Sequence, residues 1–249
     1  MPATPAWPPA SLPRLFVAER LEEGAAIRVE GNAARYLVRV LRLAAGAEVK
    51  LFDDETGEWL ARIAHVGRRD ALLAVEAKLR ERETPPDVWL CFAPLKKGRI
   101  DWLVEKATEL GAARLVPVRT ARTVVGRVNP GRLRAHIVEA AEQCERTALP
   151  ELADLIPLDR LLADWPAERA LFFADEGGGE AFRPDPGPAA ILIGPEGGFT
   201  DEERVAIRAL PRARPVSLGP RILRADTAAL AALALWMASA GDWHRAPRA

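Results

Sequence analysis

The sequence predicts an α/β chain, with a small β-rich N-terminal domain and a larger C-terminal domain built on a mainly parallel sheet. Three observations carry that reading. Up to about Leu79 the apolar residues alternate over short stretches, the period of half-buried strands. Beyond residue 87, short apolar runs alternate with helical segments, the pattern of a parallel sheet with helical crossovers. Between the two, Glu81-Arg-Glu-Thr-Pro-Pro86 is charged and proline-containing and marks a hinge. At 249 residues the chain has room for two domains. The division expected is a tail over 1–13, a first domain over 14–80, a linker over 81–86 and a second domain over 87–249.

The tail holds five prolines among Ala, Thr and Ser and is expected to be unpacked. In the first domain Ala26–Glu30, Ala47–Phe52 and Glu58–Ile63 alternate as strands, with Asp53–Gly57 as the turn between the last two. One helix is expected over Asn32–Leu43. Tyr36, Leu37, Val40 and Leu41 share its apolar face, and Arg35, Arg39 and Arg42 lie opposite. In the second domain a buried strand, Asp87–Ala93, leads through Pro94 into a helix over Arg99–Leu110 closed by Gly111. A strand, Arg114–Arg119, precedes a long helix, Pro130–Ala148. The later strands are Ala170–Ala174, Ala189–Gly194 and Pro215–Gly219, and the later helices Asp201–Leu210 and Asp226–Ala240.

Apolar residues make up 49% and charged residues 28%, the balance of a globular chain, which argues against a disordered, collagen-like or coiled-coil protein. No apolar run reaches the length of a membrane span, and the N-terminus shows no basic region leading into an apolar segment. The two cysteines, Cys91 and Cys144, lie far apart and the three histidines are single. Neither a disulfide framework, a zinc site nor a His-based metal centre is expected, and the location expected is the cytosol. The formal net charge is zero, yet residues 96–146 carry 11 basic against 6 acidic side chains. Such a band is either an electrostatic footprint for nucleic acid or a by-product of arginine-rich composition, since only five of the 35 basic residues are lysine.

Two strand-exit loops are the most informative feature. Ile191–Ile193 runs into Gly194-Pro-Glu-Gly-Gly198, and Ser217-Leu-Gly-Pro-Arg-Ile-Leu-Arg-Ala-Asp-Thr227 runs straight into the last helix. In open α/β sheets, ligands bind beyond the carboxyl ends of strands, and glycine lets backbone groups approach a flat ligand closely. Either loop alone also fits a simple tight turn. Neither is a G-x-G-x-x-G fingerprint, and no phosphate loop of the G-x-x-x-x-G-K-[ST] type occurs.

Taken together, Gly194–Gly198 and Leu218–Thr227 resemble the hallmark segments of the SPOUT-class RNA methyltransferases. Within that class they resemble the small-subunit (16S) ribosomal RNA uracil-N3 methyltransferases. Ala93–Gly111, the segment Glu139–Cys144 with Arg146 and Pro150, and Val40–Leu43 support the narrower likeness, the last resembling the family's PUA-like domain. The likeness runs from about Leu15 to Trp236. One departure is Asp226, where many relatives have glutamate.

The resemblance implies a C-terminal trefoil knot that seats S-adenosylmethionine. Leu171, Leu192, Ile193, Gly194, Glu196, Gly197, Gly198, Leu218, Gly219, Ile222, Leu223 and Thr227 are the positions expected to hold it, largely through main-chain groups. Phe172 and Phe173 are expected in the core rather than in the pocket. Methyl transfer is an in-line displacement, and uracil N3 must lose its proton, so a base or a stabilising cation is required. Arg224 is the expected cation, unless it pairs with Asp226, and Glu142 a weaker candidate base. Glu196 is expected either to touch the donor or to cap the next helix. Arg14, Arg35, Arg39, Arg42, Arg119, Arg122 and Arg127 are expected phosphate contacts. The substrate implied is ribosomal RNA in an assembled or nearly assembled small subunit. A different ribosomal or transfer RNA base, a catalytically silent RNA-binding module and a small-molecule α/β enzyme remain open as alternatives. The last helix is apolar around almost its whole circumference, which calls either for burial entirely within one subunit or for a symmetric homodimer; the homodimer is expected, with Ala229 and Leu233 as interface positions.

Overall fold

The computed structural model describes residues 12–175 and 177–245, so most of the expected tail lies outside the described residues. The chain divides into two compact units. The first runs to Thr84 and takes in Ala141–Ala148, and the second comprises Pro85–Ala140 and the chain from Leu149 onward.

The first unit is a five-stranded sheet. Its elements are β1 (Arg14–Phe16), β2 (Ala26–Glu30), a short helix α1 (Gly31–Arg35), β3 (Glu48–Phe52), β4 (Glu58–Val66) and β5 (Asp70–Arg80). The strand order is β1-β3-β4-β5-β2, antiparallel except for the parallel β1–β3 pair. Alternate residues such as Val49, Leu51, Ala61, Ile63, Leu73 and Val75 point into one apolar core.

Here the expected helix over Asn32–Leu43 is corrected. After α1 the chain makes a π-helical turn, Tyr36–Val40, in which Leu41 N donates to Tyr36 O at 2.9 Å, and Arg42 ends it at φ 55°. The wider turn rotates the following residues out of the α-helical register. Leu37 is buried, whereas Tyr36, Val40 and Leu41 are exposed on the surface that carries Arg35, Arg39 and Arg42.

Arg14 is also corrected. Its guanidinium is buried, hydrogen-bonded to Glu58 and to the carbonyls of Ala141 and Arg146, and stacked 3.8 Å from the centre of the Phe52 ring. Held on every side, it is a structural cation and not a phosphate contact. The same bonds explain why Ala141–Ala148 belongs with the first unit.

The second unit begins with β6 (Val88–Phe92), α2 (Arg99–Glu109), β7 (Arg114–Arg119), α3 (Pro130–Gln143, counted with the first unit from Ala141 on), β8 (Glu151–Leu152) and β9 (Ile156–Pro157). It continues with α4 (Leu158–Ala163), β10 (Ala170–Ala174), β11 (Glu180–Ala181), β12 (Ala189–Ile193), α5 (Asp201–Arg208), β13 (Ala213–Ser217) and α6 (Ala225–Ser239). Its sheet runs β11-β13-β10-β12-β6-β7-β8, with β9 beside β7, and every pairing is parallel, as the alternation predicts. Cys91, Val116, Leu171, Phe173 and Leu192 face α4 and α5 in one core; α2 and α6 pack together, with α6 on β6 and β12. Phe172 and Phe173 are both core residues, as expected.

The helix expected over Pro130–Ala148 stops at Gln143 instead. Glu145 turns left-handed at φ 60° and Arg146 N reaches back to Ala141 O at 3.1 Å, while Arg80 takes the Glu145 carbonyl. In α6, Ala229 and Leu233 are buried within the subunit and Leu235 is exposed. The two expected interface positions are therefore core positions, because one side of an all-apolar helix must pack on its own sheet.

Glu58 closes the first unit's polar cluster, accepting from Arg14 and, at 2.8 and 3.0 Å, from Arg80. Burial pushes its carboxyl up, but the hydrogen bonds from Arg80 and Arg14 outweigh this and hold it below the usual range. Glu58→Gln leaves Arg14 buried with its charge uncompensated. The change is expected to lower the unfolding free energy by about 3 kcal/mol in urea titrations near neutral pH. A depressed carboxyl contributes stability above its unfolded value and loses it as pH falls through the folded one, so the gap between wild type and variant should narrow in acid below about pH 4.

Candidate functional site

The sheet's parallel order brings the carboxyl ends of β10, β12 and β13 side by side, and a cleft of about 440 Å3 opens beyond them. Its size is that of a cofactor site. Three loops line it. Ala174 ends β10 and Asp175 follows it, Gly194, Pro195, Glu196 and Gly198 follow β12, and Leu218–Leu223 follow β13 and lead through Arg224 into α6. Gly198 and Gly219 hold φ of 66° and 107°, backbone that side-chain-bearing residues rarely adopt, so glycine is favoured at both bends.

Of the residues expected at a donor site, Ile193, Gly194, Glu196, Gly198, Leu218, Gly219, Ile222 and Leu223 line this cleft, and Arg224 joins them. Four do not. Leu171 and Leu192 are buried in the core on the opposite face of the sheet, because side chains alternate along a strand and Ile193 takes the cleft side. The face of Gly197 where a Cβ would stand meets the Arg122 side chain at 3.4 Å. Thr227 is exposed in the first turn of α6, its N–H held by Asp226 Oδ1 at 2.9 Å.

Sequence reasoning missed Arg99, which holds the cleft's loops together. From the first turn of α2 its Nε and Nη2 donate to both oxygens of Asp226, at 2.8 and 2.7 Å, and its Nη1 donates to Glu196 at 2.7 Å. A guanidinium fork suits this three-point contact and an ammonium does not. The hydrogen bonds from Arg99 hold Asp226 below the usual carboxylate range. Arg122, expected on RNA, grips the same glycine loop from the other side, its Nη1 donating to Gly197 O at 2.6 Å. Glu196 does not cap α5; Thr200 and Glu203 form that capping box.

The cleft's charges fall into two groups. Its described carboxylates are committed, Glu196 to Arg99 and Asp175 to Arg204 and Arg208. Its arginines Arg221 and Arg224, by contrast, are exposed and form no ion pair among the described residues. Asp226 belongs to Arg99, so Arg224 is left with an unengaged guanidinium. Glu142, the candidate base, is elsewhere: its Oε1 accepts from Phe16 N at 2.9 Å within the first unit, an architectural contact. Arg35, Arg39, Arg42, Arg119 and Arg127 are exposed. No His/Cys/Asp/Glu cluster among the described residues could hold a metal, and burial pushes the Cys91 thiol up to about 12, so it is no nucleophile. What this arrangement can do is bind an apolar-edged, nearly flat ligand along glycine-bearing backbone and stabilise negative charge beside it.

Arg99→Ala is expected to weaken binding of S-adenosylhomocysteine at least tenfold in calorimetry, because two loops lose their common anchor. Arg99→Lys should recover only a small part of it, since one ammonium cannot serve three carboxylate oxygens in fixed directions.

The comparisons with known proteins agree with this geometry. Residues 82–237 match the model of an RNA methyltransferase domain, and residues 29–76 match that of an RNA methyltransferase PUA domain. The chain is 33% identical to the ribosomal RNA small subunit methyltransferase E of Synechocystis, over 89% of this chain and 76% of that one. It is 29% identical to the protein of the same name from Rickettsia conorii, over 89% and 93%. Among solved structures it is similar to the ribosomal RNA small subunit methyltransferase E of Neisseria gonorrhoeae bound to S-adenosyl methionine. That match has a TM-score of 0.84 and 27% identity, covering 94% of this chain and 100% of that one. A Legionella pneumophila methyltransferase in complex with the same cofactor superposes with a TM-score of 0.86 at 28% identity, over 94% and 100%. The match over more than half its length, together with the site's architecture, makes this chain a member of the RNA methyltransferase family.

Proposed function

We propose that this protein transfers the methyl group of S-adenosylmethionine to N3 of one uridine in small-subunit (16S) ribosomal RNA. In this reading it acts in the cytoplasm on an assembled or nearly assembled small ribosomal subunit. The names of its relatives and the donor bound in their structures support the class of reaction. The observation that carries the reading to an acidic ring nitrogen is the charge of the cleft. Its described carboxylates are neutralised in ion pairs, and two arginines stand unengaged at its edge.

The residues present fit the donor. Backbone along Gly194–Gly198 and Leu218–Leu223 offers the main-chain groups that would hold a purine, and the backbone bends at Gly198 and Gly219 belong to the lining itself. When bound, the donor supplies a methyl group activated by its sulfonium. The family's trefoil knot over the last strands is part of the proposal. Arg224 would stabilise the negative charge that builds on the uracil as the N3 proton leaves to solvent, and the N3–CH3 bond would form as the S–CH3 bond breaks, with S-adenosylhomocysteine as the leaving group. Ribosomal RNA from a deletion strain should lack one N3-methyluridine by mass-spectrometric mapping. The wild-type gene should restore it and Arg224→Ala should not, although the variant protein binds S-adenosylhomocysteine within about threefold of wild type. Loss of a methyl at another base overturns the substrate, and equal losses of donor affinity and rate overturn the role of Arg224.

A homodimer is part of the same proposal. Leu235 on α6, Trp102 on α2 and Trp243 beyond α6 are exposed large apolar side chains, and α2 and α6 pack against one another. Such residues suit a two-fold contact between copies. Sedimentation should show a dimer at micromolar concentration, and Leu235→Glu should shift it to a folded monomer with reduced methylation. A fully active wild-type monomer would refute the dimer.

A further inference from the structure

The loop after β13 carries the most exposed large apolar side chain among the described residues, Ile222 at 95%. The other long aliphatic residues of this loop, Leu218 and Leu223, are half-buried. A side chain as little covered as Ile222 makes almost no contact with the walls of the cleft whose mouth it borders. Single exposed apolar residues are common on protein surfaces and need no explanation by themselves. The place of this one does. It stands between Arg221 and Arg224, the cleft's two guanidinium groups without an ion pair among the described residues. Its support is stiff: Pro220 restricts the backbone two residues before it, and Asp226, four residues on, is clasped by Arg99. Isoleucine is itself branched at Cβ and confined to few rotamers. A rigid aliphatic tip presented to water at the edge of the donor cleft is suited to a contact with the second reactant and not with the donor.

Uracil N3 lies on the Watson–Crick edge of the base, which pairing and stacking cover in a folded RNA. A donor seated beyond the strand ends reaches it only when the uridine turns out of its stack, and the lost stacking has to be replaced. Aromatic side chains commonly supply such a surface, but Phe199, the aromatic residue lining this cleft, is 2% exposed. Isoleucine is among the apolar side chains that enter base stacks as wedges. We propose that Ile222 is such a wedge, filling the space that the target uridine leaves and keeping the base turned out toward the donor cleft. The proposal rests on the RNA substrate argued above and adds to it a residue that acts on the shape of the RNA.

Methyl transfer from labelled S-adenosylmethionine to small ribosomal subunits of the deletion strain should be measured alongside affinity for S-adenosylhomocysteine. Ile222→Ala should lower kcat about tenfold with KM within about threefold of wild type, because the wedge acts after the RNA has bound. Ile222→Leu and Ile222→Met should recover most of the rate, since a wedge needs apolar bulk. Ile222→Asn, close in size but polar, should not. All forms should bind S-adenosylhomocysteine within about threefold of wild type and sediment as it does. An unchanged kcat in Ile222→Ala overturns the wedge. So does a matching loss of S-adenosylhomocysteine affinity, which would set Ile222 against the donor, and so does a shift to monomer, which would set it between subunits. Wild-type protein that binds S-adenosylhomocysteine but methylates no small subunit would instead reject the RNA reading itself.

Discussion

Arg99 is the interaction on which the catalytic unit's geometry depends. A strand-exit loop rich in glycine is soft, because glycine gives up more conformational freedom on ordering than any other residue. Two such loops bordering one cleft need something rigid between them. Arg99 supplies it from the start of α2, joining Glu196 in the loop after β12 to Asp226 at the head of α6. Arg122 fixes the Gly197 carbonyl from the loop after β7, so the Gly194–Gly198 segment is held at two points. The glycines confer close approach, and the two arginines limit where that approach leads.

The same pairing determines what chemistry the cleft supports. Had Asp175 and Glu196 been unengaged, the site would offer a general base and repel an anionic reactant. Paired with Arg204, Arg208 and Arg99, they leave the field to Arg221 and Arg224. A cleft of that polarity favours the deprotonated form of a weakly acidic N–H, and lowering the cost of the proton's departure is a substitute for a strong base. In the first unit, buried and exposed arginines divide in a comparable way. Arg14 is enclosed with Glu58 and carbonyl groups and is architectural, whereas Arg35, Arg39, Arg68 and Arg69 face an open cleft.

Much of this is legible in the sequence. The alternation of strands and helices identifies the parallel sheet, and the two glycine-bearing loops mark the cleft, because both signals are local. The errors come from effects that are not. Arg99 finds its partners 97 and 127 residues away, and no short-range pattern connects them. Leu192 and Ile193 are neighbours in the chain but stand on opposite faces of a strand, so a loop motif does not tell which one borders the cleft. The π-helical turn after Arg35 defeats a reading that assumes an α-helical period, and exposes Tyr36 and Val40 where burial is expected. Arg14 looks like a surface cation because nothing near it in sequence reveals that Glu58 and the Ala141–Ala148 segment close over it.

A double-mutant cycle between Arg99→Ala and Asp226→Ala, read as the dissociation constant for S-adenosylhomocysteine, tests most directly whether one guanidinium organises the donor loops. If it does, each single change weakens binding and the double variant is hardly worse than either, a coupling of about 1–3 kcal/mol. Losses that simply add would contradict that role, since Arg99 and Asp226 would then be acting on the donor site independently.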